Sequence, residues 1–255
     1  MNYIDSHAHI FSEDYNDDFN DVCLRAKQAG VHRIMIITTR PDEARKAIAF
    51  AKQDPYHYQV SYGIHPEDVD LMSDEALNEV KEIVSLPEVS AVGEIGLDYY
   101  WEKDKKEEQK ELFIKQIQIA NEVGKPIIVH SREAMQDTFD IMCAYPSRGL
   151  MHCFAGSAEM GVEFTKRGYY IALGGASTFK NARHSLEVCE AIDLKYLLTE
   201  TDSPYMSPEP LRGKRNEPSN IPYIAKKLAS VKGVELAEFV EQVNQNYARF
   251  LGEIE

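Results

Sequence analysis

The chain has 255 residues, of which 44% are hydrophobic and 27% charged, a balance typical of globular proteins with a large core. No apolar stretch approaches the roughly 20 residues that a membrane-spanning helix needs, and the N-terminal MNYIDSHAHIF lacks the basic and apolar segments of a secretory signal. The formal net charge of −14 argues against a broad positive groove for duplex nucleic acid. Any polyanionic substrate would therefore be bound locally, by metal ions and a small basic cluster.

The cysteines favour a reducing compartment. Cys23, Cys143, Cys153 and Cys189 form no CxxC pair and show no disulfide-framework spacing. Reduced thiols in a cytoplasmic protein are the simplest interpretation. We therefore expect a cytoplasmic protein that uses no membrane and no obligate protein partner.

Short apolar runs alternate with amphipathic segments along the whole chain. Most of the runs are continuously apolar, as expected of parallel strands covered by helices. Helical spacing is clear over Lys105–Val123, which Gly124 ends, and in a final apolar stripe from Leu236 to Phe250. The predicted strands are Tyr3–Asp5, Arg33–Thr38, Gln59–Gly63, Ser90–Glu94, Pro126–His130, Leu150–Cys153, Tyr169–Leu173 and Tyr196–Thr201.

About eight strand–helix units in roughly 250 residues is the size of a TIM-type barrel. We therefore predict an α/β fold with one (β/α)8 barrel domain over residues 1–255. An open doubly wound sheet is the structural alternative, but it gives no reason for metal ligands on so many separate strands.

Six potential metal ligands lie at the ends of these runs. In a barrel, the carboxyl ends of the strands meet at one mouth, so side chains far apart in sequence would form one site. The first two are spaced i, i+2 and would point to the same side of a strand. The six residues are His7, His9, Glu94, His130, His152 and Asp202.

Each candidate also has an ordinary structural interpretation. Glu94 lies among apolar residues, where a carboxylate is costly unless it binds metal or pairs with Arg or Lys. A single His130 or His152 is more often a hydrogen-bonded core histidine, and Asp202 could be a helix N-cap instead of a general base. Asp5 could orient a ligating imidazole or cap a turn. Glu200, on the same face as Asp202, is expected to support a ligand.

Several long motifs resemble a known family. The HxH pair, an acid in the fourth strand, a histidine after each of two later strands and an aspartate after the eighth resemble the amidohydrolase superfamily. The segments DSHAH, GIHP, GEIGLDYY, PIIVHSRE, HCFAGS, GGASTFKN and TETDSPYMSPEPLRGKRNEP are similar to the TatD family of metal-dependent deoxyribonucleases.

The resemblance implies a role for each ligand. His7 and His9 would hold one divalent ion with Asp202 nearby, and Glu94 would bridge to a second ion. His130 and His152 would hold that second ion. Mg²⁺ or Mn²⁺ would support activity, with Zn²⁺ also possible.

The implied reaction is hydrolysis of DNA phosphodiester bonds. Two ions would lower the pKa of water so that hydroxide exists at neutral pH, and Asp202 would orient this nucleophile and accept its proton. Because the chain is acidic, we expect action on single-stranded or frayed ends, and the resemblance implies 3′–5′ exonuclease activity. The alternatives are hydrolysis of another ester or amide, such as an aminoacyl-tRNA ester or a lactone, and a barrel without catalytic function.

A second group of residues is expected to contact the substrate. His65 would bind phosphate or protonate the leaving group, unless it is an ordinary loop histidine. Arg132, following Ser131, offers a bidentate phosphate grip or a surface ion pair. Tyr99, with Tyr100 and Trp101, would stack on unpaired bases or pack over the barrel mouth. Local positive charge would come from Lys180, Arg212, Lys214 and Arg215, unless these side chains are merely solvated.

Overall fold

The computed structural model describes residues 1–254; Glu255, the last residue of the predicted domain, lies outside the described residues. Eight parallel strands form one sheet in which each strand pairs with the next along the chain. The strands are β1 (Tyr3–Ala8), β2 (Val31–Thr38), β3 (Tyr58–Tyr62), β4 (Val89–Asp98), β5 (Ile127–Arg132), β6 (Gly149–Met151), β7 (Tyr170–Leu173) and β8 (Leu197–Thr199).

Helices alternate with the strands and cover the outside of the sheet. Short 3-10 turns interrupt several connections, among them Pro66–Leu71 after β3 and Gly175–Thr178 after β7. The α-helices are α1 (Phe19–Gln28), α2 (Pro41–Ala51), α3 (Asp74–Val84), α4 (Lys106–Val123), α5 (Met135–Ala144), α6 (Ala158–Lys166), α7 (Arg183–Ala191), α8 (Ile221–Lys232) and α9 (Leu236–Leu251).

The sheet closes where β8 returns to β1. An isolated parallel bridge joins Ala8 to Ser203, and the Thr199 hydroxyl donates to the Ile4 carbonyl at 2.7 Å. The Asp202 N–H donates to the His7 carbonyl at 2.9 Å. The predicted eight-stranded barrel is confirmed, and its closure places the two ends of the ligand set side by side.

The core lies between the strands and the surrounding helices. On α4, where helical spacing was predicted, Phe113, Ile117 and Ala120 are fully buried. On α9, the apolar stripe is buried from Val240 to Phe250, and Leu236 at its start is partly exposed. Burying a side chain as large as Leu or Phe contributes about 1.5–3 kcal/mol. Within residues 1–254, no helix has the length and apolar character that crossing a membrane requires.

All eight predicted strands exist, but β4 is longer than predicted, and this changes the position of Glu94 within it. The strand continues to Asp98, and its pairing with β5 shifts register between Val92 and Ile95. Glu94 therefore lies in an irregularity within the strand, not at its end as predicted. Gly96 has φ of +143°, and a Cβ there would lie 2.0 Å from the His130 carbonyl oxygen. Only glycine allows this close approach between β4 and β5.

Candidate metal centre

The six predicted ligands converge at the carboxyl-terminal end of the barrel. The other five side chains, together with His65, form two groups around the two carboxylate oxygens of Glu94. We call His7, His9 and Asp202 the seam half, because they flank the β1–β8 seam. We call His65, His130 and His152 the bulge half, after the register shift in β4 that holds Glu94. His65 follows β3, His130 lies in β5 and His152 follows β6.

The seam half surrounds Glu94 Oε2. His7 Nε2 lies 3.3 Å and His9 Nε2 3.5 Å from this oxygen, and the two nitrogens are 3.2 Å apart. Asp202 Oδ1 lies 3.7 Å from each of them. His7 is in β1 and His9 just beyond it, so the i, i+2 spacing aims both imidazoles inward, as predicted.

The bulge half surrounds Glu94 Oε1. His152 Nε2 is 2.8 Å and His130 Nδ1 is 2.9 Å from this oxygen, while His65 Nε2 lies at 3.6 Å. The two closer nitrogens are 3.3 Å from each other. The histidine of the GIHP motif is therefore part of the same cluster and not a remote loop residue.

Glu94 is buried, with 3% of its surface exposed. Burial alone would raise the pKa of its carboxyl, but the surrounding imidazoles, above all His152 and His7, hold that pKa well below its usual range. No Arg or Lys forms an ion pair with it among the residues described, so the alternative of a buried ion pair is wrong. The carboxylate is ionised and shared by both halves.

This donor set fits divalent cations. Three combinations bring their ligand atoms within 4.8 Å of one another: His7, Glu94 and His152; His7, His9 and Asp202; and His65, Glu94 and His130. Imidazole and carboxylate donors that converge on shared points are the ligands of zinc and other first-row ions. Because Glu94 presents one oxygen to each half, two ions could share it.

Asp98, at the end of β4, is a site residue that the sequence reasoning did not identify. It is fully buried, and its Oδ2 lies 2.9 Å from His130 Nε2. Its Oδ1 accepts the N–H groups of Tyr100 at 2.9 Å and Trp101 at 3.0 Å, and Gln109 of α4 bonds its main chain. Asp98 thus fixes the His130 ring so that Nδ1 faces Glu94.

Asp98 and His130 behave as a charge pair. Burial would raise the pKa of Asp98, but the hydrogen bond from His130 and the two backbone N–H groups keep it below its usual value. Burial would likewise lower the pKa of His130, and the contacts with Asp98 and Glu94 raise it instead. A signal was present in the sequence, since Asp98 ends the GEIGLD motif two residues after the glycine that pairs with His130.

Asp202 follows β8 by three residues and adopts φ of +54°, in the left-handed region that aspartate tolerates better than most residues. Its carboxylate faces His7 and His9 and does not cap a helix, because α8 begins at Ile221. Burial raises the pKa of this carboxyl above its usual value. A raised pKa suits a group that accepts a proton during catalysis.

Two neighbouring carboxyl groups have roles other than those expected. Asp5 does not reach an imidazole; it accepts the backbone N–H and the hydroxyl of Thr201 at 2.9 and 2.6 Å and so ties β1 to the end of β8. Glu200 accepts the Cys153 N–H at 2.6 Å, and its Oε1 lies 3.8 Å from His152 Nδ1, too far for a hydrogen bond. Burial raises the pKa of Asp5 to about 7 and that of Glu200 to about 8.

Arg132 lies at the mouth beside exposed aromatic rings. Its guanidinium stacks 4.0 Å from the Tyr100 ring centroid and 5.6 Å from that of Trp101. Tyr100 is 40% and Trp101 59% exposed. Within residues 1–254 the guanidinium makes no ion pair or hydrogen bond, so its planar N–H fork is open to an anion. Ser131 is engaged with Thr138 at 3.0 Å.

Two predicted substrate contacts are occupied by structural interactions. Tyr99 is only 7% exposed, and its hydroxyl donates to Asp137 at 2.6 Å, so its ring is not available for base stacking. Arg215 forms two hydrogen bonds to Asp18, at 2.8 and 2.7 Å, and covers the Tyr15 ring. It anchors the loop after β8 and is not a free phosphate-binding cation.

The remaining predicted cations lie on the loops after β7 and β8. Arg212 stacks 4.4 Å from the centroid of Phe179. Lys180, the next residue after Phe179, is exposed, as is Lys214. Arg132, by contrast, lies beside Tyr100 and Trp101 in the loop after β4.

Comparison with known proteins agrees with this geometry. The model of the family described as TatD related DNase matches residues 4–252. The chain is 40% identical to the uncharacterized metal-dependent hydrolase YabD of Bacillus subtilis over 248 residues, or 96% of this chain and 97% of that protein. It is 34% identical to the uncharacterized metal-dependent hydrolase YcfH of Escherichia coli over 256 residues, or 98% and 95% of the two chains.

Solved structures show the same architecture. The crystal structure of YjjV, a TatD homologue from Escherichia coli K12, superposes with a TM-score of 0.91 at 26% identity and covers 99% of this chain and 98% of its own. A TatD family hydrolase from Entamoeba histolytica gives a TM-score of 0.86 at 25% identity, with 98% of both chains covered. With the family model matching almost from end to end, the chain belongs to the TatD family of metal-dependent hydrolases.

Proposed function

We propose that the protein hydrolyses phosphodiester bonds at single-stranded or frayed DNA ends, as a 3′–5′ exonuclease. The observation that supports this most is the division of Glu94 between two ligand groups. A carboxylate shared in this way suits two cations about 3.5–4 Å apart, the arrangement found in many phosphatases and nucleases. The family match is consistent with this substrate class.

When bound, the cations would supply two effects: a lower pKa for water and neutralisation of charge on the phosphoryl oxygens. Mg²⁺ or Mn²⁺ is the proposed physiological pair, and Zn²⁺ also fits the imidazoles. The protein itself would hold the phosphodiester in line, accept the proton of the attacking water and protonate the departing oxygen.

Asp202 is the proposed proton acceptor. Its carboxylate lies at the open side of the seam half, 3.7 Å from both imidazoles of the HxH pair, and 14% of its side chain remains accessible. Glu94 is enclosed by imidazoles, whereas Asp202 can meet a water molecule. Its raised pKa increases its proton affinity relative to an exposed aspartate.

His65 is the proposed proton donor to the leaving oxygen. Its Nδ1 accepts the Glu67 N–H at 3.3 Å, at the start of the 3-10 turn Pro66–Leu71. In the neutral ring the proton is then on Nε2, the atom that faces Glu94 from 3.6 Å. The ring is therefore oriented to donate toward the centre of the site.

Arg132, Tyr100 and Trp101 are the proposed contacts to the strand. The Arg132 guanidinium would donate two hydrogen bonds to one phosphate group. The exposed rings of Tyr100 and Trp101 would stack on single-stranded bases. An acidic chain with −14 net charge offers no long positive groove. We therefore propose that an end enters a compact pocket and that the duplex is not wrapped.

The first test uses end-labelled single-stranded and duplex oligonucleotides with Mg²⁺, Mn²⁺ or EDTA. We expect a ladder of shortened products that EDTA abolishes, with single strands cut faster than blunt duplexes. Inertness toward every polynucleotide, together with rapid cleavage of aminoacyl esters or lactones, would replace the nuclease proposal by the ester-hydrolase alternative.

The second test is Asp202→Asn. Loss of the proton acceptor should reduce kcat by about 10²–10⁴-fold, while circular dichroism and the melting temperature stay close to wild type. Asp17→Asn, in an exposed loop of the same face, is the matched control and should retain full activity. Wild-type turnover in Asp202→Asn would remove this residue from the mechanism.

A further inference from the structure

A cavity of about 450 Å³ opens beside the metal centre, enclosed by the loops that follow β6, β7 and β8. Its walls are largely apolar and include Phe154, Leu173, Phe179 and Met206, with the amide of Asn181 among its polar lining groups. This volume is within the range of roughly 300–1,000 Å³ typical of small-molecule sites. None of the residues assigned above to metal binding or proton transfer lines it.

The cavity and the metal centre share a wall. Cys153, which lines the cavity, directly follows the ligand His152, and its Sγ lies 3.7 Å from Met206 Sδ. Met206 follows Asp202 by four residues. A group in the cavity would therefore be adjacent to a phosphate at the two halves of the metal centre.

Two cationic residues lie beside Phe179, which is part of the cavity wall, and we call them the rim cations. The Arg212 guanidinium covers one face of Phe179 at 4.4 Å, and the exposed Lys180 is the next residue in the chain. Glu187, on the helix whose first turn lines the cavity, is paired with Arg183 at 2.7 Å, so the rim cations favour a ligand that carries negative charge next to an apolar portion. An uncharged aliphatic ligand would gain nothing from them.

We propose that this cavity binds the nucleobase of the terminal nucleotide, whose phosphodiester is cleaved at the metal centre. The assignment rests on the proposed function and adds a specificity site to it. A base has a flat apolar face for Phe154 and Phe179 and a polar edge for Asn181. The rim cations Lys180 and Arg212 then meet the backbone phosphates.

A terminal base should therefore increase kcat/KM, mainly by lowering KM. The test compares an oligonucleotide with a natural 3′ end and the same oligonucleotide with a 3′-terminal abasic residue. Wild type should cleave the natural end roughly 5–150-fold more efficiently, the range that one base–aromatic stacking contact supplies.

Two variants change the cavity in opposite ways. Phe179→Ala removes a wall, and Ser185→Trp fills the space from the first turn of α7. Both should cleave the natural and abasic ends with similar efficiency, at the wild-type rate for the abasic end. Phe139→Ala is the matched control. Like Phe179, Phe139 is half-buried beneath a guanidinium, in this case that of Arg167 at 4.5 Å from the ring centroid, but it lies on helix α5 outside the cavity.

The outcomes separate the two proposals. Equal cleavage of the two ends by wild type, or full discrimination retained in both cavity variants, would overturn the base-binding site and leave the nuclease intact. Absence of cleavage of either oligonucleotide by wild type would overturn the proposed function and the cavity assignment with it. Discrimination that disappears in Phe179→Ala and Ser185→Trp but persists in Phe139→Ala would establish the site.

Discussion

The two halves of the metal centre are positioned by different means. In the bulge half, His130 is held by Asp98, which is itself fixed by two backbone N–H groups and by Gln109. His7 Nδ1 of the seam half and His152 Nδ1 of the bulge half are both buried without a hydrogen-bond partner in the described part of the chain. The seam half depends instead on Asp5, which ties β1 to the end of β8 through Thr201.

The difference teaches that His130 is oriented by local hydrogen bonding, whereas the seam half depends on closure of the barrel. Interactions of β4, α4 and β5 orient the His130 ring without any cation. The seam half is assembled only when β8 meets β1, because Asp202 and the HxH pair come from opposite ends of the chain. Substitution of Asp98 should therefore act first on the bulge half and loss of Asp202 on the seam half. Glu94, with the stacked rings of His7 and His152 at a centroid distance of 3.8 Å, connects the two halves.

The largest effect is expected for Glu94→Gln, which removes the shared carboxylate. Glutamine has one neutral carbonyl oxygen and an NH2 group, so it cannot present an oxygen to each half and supplies no negative charge. Metal content should therefore fall by at least one ion per chain, and kcat should fall by more than the roughly 10²–10⁴-fold expected for Asp202→Asn. Metal analysis after dialysis and single-turnover cleavage would measure this. Glu88→Gln, next to the amino end of β4 and paired with Lys52, should change neither. Retention of both ions by Glu94→Gln would rule out a shared ligand.

Asp98→Asn should have an intermediate effect, confined to the bulge half. Loss of the charged partner of His130 is expected to lower metal affinity or activity about 10–100-fold, with the stoichiometry at limiting metal falling from two ions toward one. Isothermal titration with Mn²⁺ or Zn²⁺ would resolve the two binding events. The control is Asp137→Asn, which removes an aspartate bonded to Tyr99 and Lys110 outside the centre. Equal weakening of both events would show that the halves are not independent.

The smallest effect is a proton released on metal binding. Burial alone would lower the pKa of His152, but the attraction of Glu94 outweighs it and raises the pKa to about 10. At pH 7 the metal-free protein therefore carries a proton that a metal ligand must lose. Apparent affinity should rise with pH up to about 10, by at most about tenfold per unit for this one proton. Binding enthalpies that do not vary with buffer ionisation enthalpy would contradict it.

The sequence was sufficient to predict the barrel and the convergence of the six candidate ligands because both depend on strand order. Continuous apolar runs mark buried parallel strands, and residues at their carboxyl ends share one mouth in any such barrel. Glu94 lies among the other candidate ligands, as predicted, but within β4 and not at its end. The register shift between Val92 and Ile95 that places it there depends on how β4 pairs with β5. The register between two strands cannot be predicted from the sequence of one strand alone.

Side-chain partners were harder to predict because they lie far apart in sequence. Arg215 was expected to bind substrate, yet Asp18, almost 200 positions earlier, neutralises it. Tyr99 was placed at the mouth, whereas its exposed neighbours Tyr100 and Trp101 occupy that position. Asp98 was overlooked because the predicted fourth strand ended at Glu94, which left Asp98 in the following loop, whereas β4 continues to Asp98.

The seam between β1 and β8 has a consequence for biosynthesis. His7 and Asp202 are separated by 195 positions (202 minus 7), so the first imidazoles leave the ribosome long before their acidic partner is made. At about 5–20 residues per second this delay is roughly 10–40 s. The entropic cost of closing so long a loop grows only logarithmically with its length. The nascent chain must therefore carry His7 and His9 without Asp202 for most of its synthesis, and the complete set of candidate ligands comes together only when the last strand is made.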